Sequence, residues 1–594
     1  MSFHPNDVAR RARAATALVG GVLLFLVGAF FRTQVIRNQQ WVLQSEENRL
    51  REVPLPAPRG IIYDRSGRVI AENVVGYTVS LLVQSADSLQ ATLDRLGGTI
   101  TLTPAQVSAA MSRFRRNPAR PTVILPEATF DQISVLEEHR IDFPNLIIQS
   151  SPKRFYPDST AVAPLVGYTS EVSEADLANP KFEGYKPGQQ IGKRGLEREY
   201  ENVLRGREGS RFVEVDARGR VVREVGARAD LEPRQGTPLY TNIDLDLQDY
   251  VASIFGDSLQ GGAVAMEPRT GGVLALYSAP SWNPNRFIGG VSASYFDSLR
   301  TDPRRPLYNK AVQGQYPPGS TWKLATAVVA LENNLVTMDE QMPQPCRGSY
   351  YFGNRAWKCW DPRGHGSLTL AGAIEKSCDV YFYQLGLRMG LSKLIAGGVS
   401  LGFTSKTGID LPDENRQRFP DQLQYFNERY GPRGWTQAAA VMNMSIGQGE
   451  NSQTVLSMAR FYSALAENGM APVPEIANKA PQRTQIFQLS QAQEDGLRQA
   501  LMGVVQAGGT AASAQIKGVV LAGKTGTAQS GTYRNGREEN HAWFAGFAPA
   551  DDPKIVVVVM IEFGGHGTRA AQIASKIIGH YLHTATTSLV QTDG

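Results

Sequence analysis

Cysteine is nearly missing from this chain. Three cysteines in 594 residues are too few for a disulfide scaffold. A large excess of charge is missing too: the formal net charge is +5, and charged residues make up 20% of the chain. No dense Lys/Arg stripe occurs, so the sequence gives no case for a nucleic-acid partner. Long apolar runs are absent but for one. Hydrophobic residues are 42% of the sequence, an ordinary globular share, and the length allows several domains with a large core.

The exception is AATALVGGVLLFLVGAFF, Ala14 to Phe31. It has no charge and is about long enough to cross a bilayer core. Arg10, Arg11 and Arg13 precede it, which keeps the N-terminus in the cytoplasm by the positive-inside rule. The run ends in FFRTQVI, not in the small residues of a cleavage site. This predicts an uncleaved single-pass anchor over 14–35 behind a cytoplasmic tail of 1–13, with the remainder outside the cytoplasm. Ile555 to Ile561 is too short to span and is expected as a buried strand.

After the anchor, 39–51 has the pattern of a helix, which the prolines of VPLPAPRG end. RGIIYDRSGRVIAEN predicts strand, turn, strand. Residues 85–150 carry amphipathic helical patterns such as DQISVLEEHR, and 192–223 a charged helix followed by two strands. The polar DLEPRQGT, 230–237, is expected as a linker and the main domain boundary. Beyond it, 244–255 has helical spacing, and GGAVAMEPRTGGVLALYSAP is strand, turn, strand. A helix-rich middle runs from about 320 to 510. Three strand-like runs (VVLAGKTGTAQ, HAWFAGFAP, KIVVVVMIEF) and a helix close the chain. A mixed α/β domain follows, its sheet made from both chain ends around a helical insert.

YPPGSTWK, 316–323, places Ser320 three residues before Lys323. On a helix that spacing puts an amine within reach of a hydroxyl, but a serine there also suits a helix cap. SSPK at 150–153 has the same spacing, so the match alone decides nothing. GVVLAGKT, 518–525, fits a P-loop pattern. Its Val-Val-Leu favours extended chain, and no helix pattern follows to face an anion, so a phosphate loop is rejected. The same residues hold Lys524-Thr525-Gly526, with Thr527 next, at the end of an apolar strand followed by two more. Glycine there lets a substrate chain approach a strand edge, and lysine and threonine suit a carboxylate. Lys406-Thr407-Gly408 is a decoy without such strands.

Ser377-Cys378-Asp379 lies between Ser320 and Lys524. The three stretches together resemble the S-x-x-K, S-D-N and K-T-G set of penicillin-binding proteins. RGIIYDRSG, GLEREYENVLRG, PLYNKAVQGQ and SIGQGENSQT extend the likeness over nearly the whole chain. It resembles the class B penicillin-binding proteins, most closely the penicillin-binding protein 2 type of the cell-elongation machinery. Asp379 departs from the Asn of many relatives, as elongation-type members often do. The resemblance implies an N-terminal transmembrane helix in the bacterial inner membrane and an elongated α+β pedestal over 36–235, with a head at about 74–160. It further implies an α/β transpeptidase domain over 236–585, with an antiparallel sheet and inserted helices, and a flexible tail, 586–594. It implies a peptidoglycan D,D-transpeptidase of cell-wall elongation, inhibited by β-lactams, that acts on D-Ala-D-Ala stem peptides. Ser320 would be the nucleophile and Lys323 its base. Ser377 and Asp379 would form the proton network. Lys524 and Thr525 would bind the terminal carboxylate beside Gly526, and the N–H groups of Ser320 and Thr527 would form the oxyanion hole. The implied partners are a membrane-embedded SEDS-type glycosyltransferase and other elongation proteins; no organic cofactor is implied. A β-lactam sensor or hydrolase would need a base to activate water, and none is evident. A scaffold role is not excluded by intact catalytic residues.

All three cysteines, Cys346, Cys359 and Cys378, fall in one short region with His365 among them. Outside the cytoplasm cysteines usually pair, so a Cys346–Cys359 disulfide is one expectation. It leaves Cys378 and His365 unexplained. A Cys3His zinc site uses all four, and elongation-type relatives bind zinc here. His541 is expected as a core or strand-end histidine, and Trp357 and Trp360 as packing around the cysteine loop.

Overall fold

The computed structural model describes residues 5–36, 50–118, 120–215, 221–223 and 229–592. Helix α1 (Pro5–Phe31) and a π-helical turn (Arg32–Ile36) carry the apolar run. No residue of Val8–Ile36 is buried by protein, as fits a helix solvated by lipid, with its backbone groups satisfied internally. The helix starts before residue 14 because nothing in Asp7–Arg13 breaks it, so basic flank and anchor form one rod. Most of the helix expected over 39–51 lies outside the described residues. Its last two residues belong instead to a strand, where they pair with another strand.

The pedestal strands used below are β1 (Leu50–Leu55), β2 (Ile62–Tyr63), β3 (Val69–Leu81), β4 (Thr122–Leu125), β5 (Leu146–Phe155), β6 (Gly209–Val215) and β7 (Leu239–Tyr240), beside three short ones, Thr169–Glu171, Gln190–Gly192 and Val221–Arg223. The β2–β3 turn forms as the sequence predicts: the Asp64 carboxylate accepts the N–H groups of Ser66 and Arg68, each at 2.8 Å. β3 carries β5 along its length, from Glu72↔Phe155 to Leu81↔Leu146, and β4 at its far end. Helices Ala86–Leu96, Pro104–Arg116 and Phe130–Glu138, each N-capped by a Ser or Thr, bury Leu89, Leu93, Phe114 and Leu136 against β3 and β4 to form the head. The stretch expected as a free linker is tied down. Leu231 and Arg234 bridge to Ser210 and Arg207, and β7 adds parallel to β2.

Beyond it, α2 (Leu245–Phe255) is N-capped by Asp244. The catalytic sheet uses β8 (Gly261–Met266) and β9 (Val273–Ala279) from one end of the domain. The insert contains α3 (Lys323–Glu332) and α4 (Asp379–Met389). The other end supplies β10 (Ala522–Arg534), β11 (Arg537–Ala548) and β12 (Ile555–Ile561), and α5 (Gly567–Thr592) packs on the sheet. The order is β9-β8-β12-β11-β10, all antiparallel. β8, β9 and β12 are buried on both faces, which explains their unbroken apolar runs. β9 and β10 are the two edge strands. α5 continues to Thr592, into the residues expected as a tail, because no Gly or Pro lies between Gly579 and Thr592 to stop it.

Candidate active site

Ser320 lies inside a 3₁₀ turn, Gly319–Trp322, that leads directly into α3. Its side chain caps neither element, so the cap expectation fails and the hydroxyl is left for other work. The turn needs Gly319 at φ 54°. A Cβ there would stand 2.6 Å from the Thr527 carbonyl oxygen, and one at Gly447 would stand 2.2 Å from the Gly319 oxygen. A Cβ at Gly526 would stand 2.8 Å from the Pro318 oxygen. Gly319 and Gly526 thus let the nucleophile turn meet the edge of β10 backbone to backbone, and Gly447 lets its own loop close on the turn, which side chains would forbid.

Lys323, fully buried on the first turn of α3, reaches across to the second motif. Its Nζ donates to Ser377 O at 2.8 Å, Ser377 Oγ at 3.2 Å and Asp379 Oδ1 at 2.8 Å. The lysine's three bonds therefore go to Ser377 and Asp379 rather than to Ser320. Ser377 is a non-glycine residue at φ 56°, a left-handed conformation that costs energy and that collects at functional sites. Asp379 opens α4, and its second oxygen accepts the Trp360 N–H at 3.0 Å.

Lys524 sits near the start of β10, not at the end of an apolar strand as expected. Val519 to Leu521 precede the strand, and extended chain runs straight through Gly523–Thr527. No phosphate loop exists there. Lys524 is fully buried, its Nζ donating to Thr525 O at 3.0 Å. Burial, followed by the nearby Lys323 cation, pushes it well below the usual lysine range. Thr525 Oγ1 lies 2.8 Å from Thr510 Oγ1, and Thr527 Oγ1 accepts the Gly567 N–H at 3.3 Å.

The decoys stay apart. Ser150 pairs with Tyr77 inside β5, and on a strand Lys153 points to the opposite face. Thr407 and Gly408 give their N–H groups to buried Glu414. A G-x-S-x-G spacing, Gly398 to Gly402, ends a helix rather than forming a strand-to-helix elbow, and Ser400 Oγ donates to Gly397 O.

Cys346, Cys359 and Cys378 are free thiols, with no disulfide formed. With His365 they bring four ligand atoms within 4.8 Å of one another. His365 Nδ1 lies 3.6 Å from Cys346 Sγ and 3.5 Å from Cys359 Sγ. Tetrahedral zinc with ordinary Zn–S and Zn–N bonds has S···N edges of about 3.6 Å, so the donor set fits the ion. Cys359 and Cys378 share a hydrogen bond that draws Cys359 down to about 5 and pushes Cys378 up. His365 Nε2 is buried without a partner. Of the two tryptophans, Trp357 is buried against Tyr383, as expected. Trp360 packs there too, its ring 5.3 Å from that of His365, although the residue is 57% exposed and its indole N–H bonds the Lys376 carbonyl. What sequence reasoning missed is its backbone N–H on Asp379; adjacency to Cys359 was the one available signal. His541 is a core histidine, buried between Tyr316 and Phe563, its Nδ1 accepting the Phe563 N–H.

Comparison with known proteins agrees with this geometry. Residues 261–579 match the penicillin binding protein transpeptidase domain, and 54–241 the penicillin-binding protein dimerisation domain. The peptidoglycan D,D-transpeptidase MrdA of Acinetobacter baumannii is 32% identical over 96% of this chain and 87% of its own length. Among solved structures, the complex between penicillin-binding protein PBP2 and MreC from Helicobacter pylori matches with a TM-score of 0.79. It has 26% identity and covers 90% of this chain and 99% of that one. A chain of a peptidoglycan synthase complex that coordinates polymerization and crosslinking matches at a TM-score of 0.69. It has 29% identity and covers 96% of this chain and 97% of that one.

Proposed function

This chain belongs to the penicillin-binding protein transpeptidase family and is a serine-type peptidoglycan D,D-transpeptidase; from that premise we propose that Ser320 is its nucleophile and that Lys323, Ser377, Asp379 and Lys524 move and hold the protons. Ser320 Oγ attacks the carbonyl of the penultimate D-Ala of a stem peptide. Lys323 receives the hydroxyl proton, and Ser377 passes a proton to the departing terminal D-Ala. An amine from a neighbouring stem peptide then displaces Ser320 and leaves a cross-link. The N–H groups of Ser320 and Thr527 receive the oxyanion, because the close approach of turn and strand edge brings those two backbones together.

The observation that carries this reading is the shared grip of Ser377 and Asp379 on Lys323 Nζ beside a second buried lysine, Lys524. Ser377 and Asp379 hold the Lys323 amine in place beside the nucleophile turn. The substrate's terminal carboxylate, seated against Lys524 and Thr525, gives Lys524 a reason to hold a proton. A β-lactam, whose carboxylate and strained amide mimic the same donor, acylates the same hydroxyl.

Zinc held by Cys346, Cys359 and Cys378 Sγ and by His365 Nδ1 would supply a closed structural centre. Cys378 separates Ser377 from Asp379, so fixing its sulfur fixes both neighbours. We assign the pedestal as the surface for elongation-complex proteins and a membrane-embedded SEDS-type glycosyltransferase; that a relative has been solved in complex with MreC supports a partner of this kind. Orientation follows the arginines: N-terminus in the cytoplasm, catalytic domain in the periplasm.

The test is covalent labelling with a fluorescent penicillin. Ser320→Ala should lose the label at unchanged melting temperature; equal labelling of both proteins would sink the assignment.

A further inference from the structure

Thr510 touches the third catalytic motif yet has no part in the chemistry described so far. Its Oγ1 lies 2.8 Å from Thr525 Oγ1, and among the described residues that is its one side-chain partner. Thr525, 8% exposed, has no other side-chain hydrogen bond there either. Two hydroxyls thus bring two protons to one contact. The hydroxyl whose oxygen accepts keeps its own proton free for a third group.

The chain around Thr510 is folded to deliver it to that point. The helix Gln491–Val505 packs on β10. Past its end the chain turns back over the last turn, with the Gly509 N–H on the Gln506 carbonyl at 3.0 Å and the Ala511 N–H on the Val504 carbonyl at 2.9 Å. The reversal needs glycine: a Cβ at Gly509 would stand 2.2 Å from the Val504 oxygen, and Gly508 sits at φ 87°. A cation then fixes the loop from the far side. Lys376 Nζ donates to the Gly508 carbonyl at 2.8 Å, and Lys376 is the residue before Ser377. The loop of Thr510 is therefore tied to the second motif through Lys376 and to the third through Thr525.

We propose that Thr510 is a positioning residue for the donor carboxylate: given the assignment of Thr525 to that carboxylate, the Thr510 hydroxyl donates to Thr525 Oγ1 and turns the Thr525 proton toward the anion. The two bonds then run in one direction, from Thr510 to Thr525 to the carboxylate, and each polarises the next. The reverse arrangement, with Thr525 donating to Thr510, would turn the lone pairs of Thr525 on the anion and repel it. An arriving carboxylate selects the first.

The test is the second-order rate of acylation by fluorescent penicillin, with the full-length protein in detergent. Thr510→Val keeps the side-chain shape and removes the hydroxyl; acylation should slow by about fivefold, the worth of one hydrogen bond. Thr510→Ser keeps the hydroxyl and should stay within about twofold of wild type. Benzylpenicillin methyl ester, which lacks the anion, is read by competition with the fluorescent probe, and Thr510→Val should leave its rate unchanged. A folded Thr510→Val protein that acylates at the wild-type rate overturns the proposal. So does a Thr510→Ser protein slowed as much as Thr510→Val, or equal slowing for penicillin and its ester, since Thr510 would then act on something other than the carboxylate. Thr510→Ala supplies the same comparison if the valine variant does not fold. Thr525→Val separates the two levels: it should slow penicillin acylation more than Thr510→Val does. No effect of Thr525→Val removes the assignment of Thr525 itself, whereas an effect of Thr525→Val without one of Thr510→Val removes the role of Thr510 alone.

Discussion

Replacing Gly526 with alanine adds one methyl group at the tightest point of the catalytic centre. The new Cβ would stand 2.8 Å from the Pro318 carbonyl oxygen, 3.1 Å from Thr321 Cγ2 and 3.2 Å from the Thr321 nitrogen. Two of these atoms are backbone of the nucleophile turn and cannot swing away. Ordinary contact begins at 3.4 Å, so β10 and the turn must separate by about 0.6 Å, the shortfall against a normal van der Waals distance. Overpacking of that kind costs about 1–3 kcal/mol of stability, which a large catalytic domain tolerates. The catalytic cost is greater in proportion. A misplacement of about 1 Å lowers a rate by about 10²-fold, and losing one oxyanion donor costs about 10²–10³-fold. A 0.6 Å displacement that pulls the Thr527 N–H away from the Ser320 N–H should therefore slow acylation by about 10–100-fold. The assay is the second-order rate of fluorescent penicillin acylation, read beside the melting temperature. A folded Gly526→Ala protein that acylates within about twofold of wild type would refute the claim that backbone approach sets the oxyanion hole.

Lys524→Met should stabilise the protein while abolishing acylation. A lysine held below its ordinary 10.5 leaves the unfolded chain binding more protons than the folded one, so stability rises with pH across that interval and the penalty is fully present below it. Each tenfold depression costs about 1.4 kcal/mol. The variant should melt higher at pH 7, with the gap closing toward pH 10; an equal or lower melting temperature at pH 7 counts against it. Cys378→Ser, or chelation of the wild type, should remove about one zinc per chain by metal analysis and lower both melting temperature and acylation; a metal-free protein of full activity excludes the ion. Tyr200→Phe removes the hydroxyl that donates to Asp410 at 2.5 Å across the pedestal–catalytic boundary. It should cost about 1.5–3 kcal/mol by denaturant unfolding and leave acylation of the folded protein unchanged; no loss of stability would show that the contact carries no energy.

What the sequence made legible here was whatever is set by short spacing. Ser320 and Lys323 are one helical turn apart, and the β2–β3 turn is written in Asp64 and Gly67. The alternation of buried strands and helices was enough to anticipate a sheet closed by both ends of the domain. Long-range placement was not legible. Nothing local says that Lys323 reaches residues 54 and 56 positions away, or that Trp360 turns its backbone N–H to Asp379. The strand at Leu50 was obscured because its partner lies more than 150 residues on, and a segment pattern cannot register pairing at that distance. The glycines show the limit most clearly. Gly518 and Gly523 fitted a phosphate cradle and Gly526 suggested room for a substrate at a strand edge, whereas nothing local marked Gly319 or Gly447. In space Gly518 has nothing near its missing Cβ, while Gly319, Gly447 and Gly526 each face a backbone oxygen closer than any side chain allows. Glycine records that room is needed but not which distant chain occupies it. An active site assembled by backbone contact between two such chains is therefore the part of this protein that only the fold could disclose.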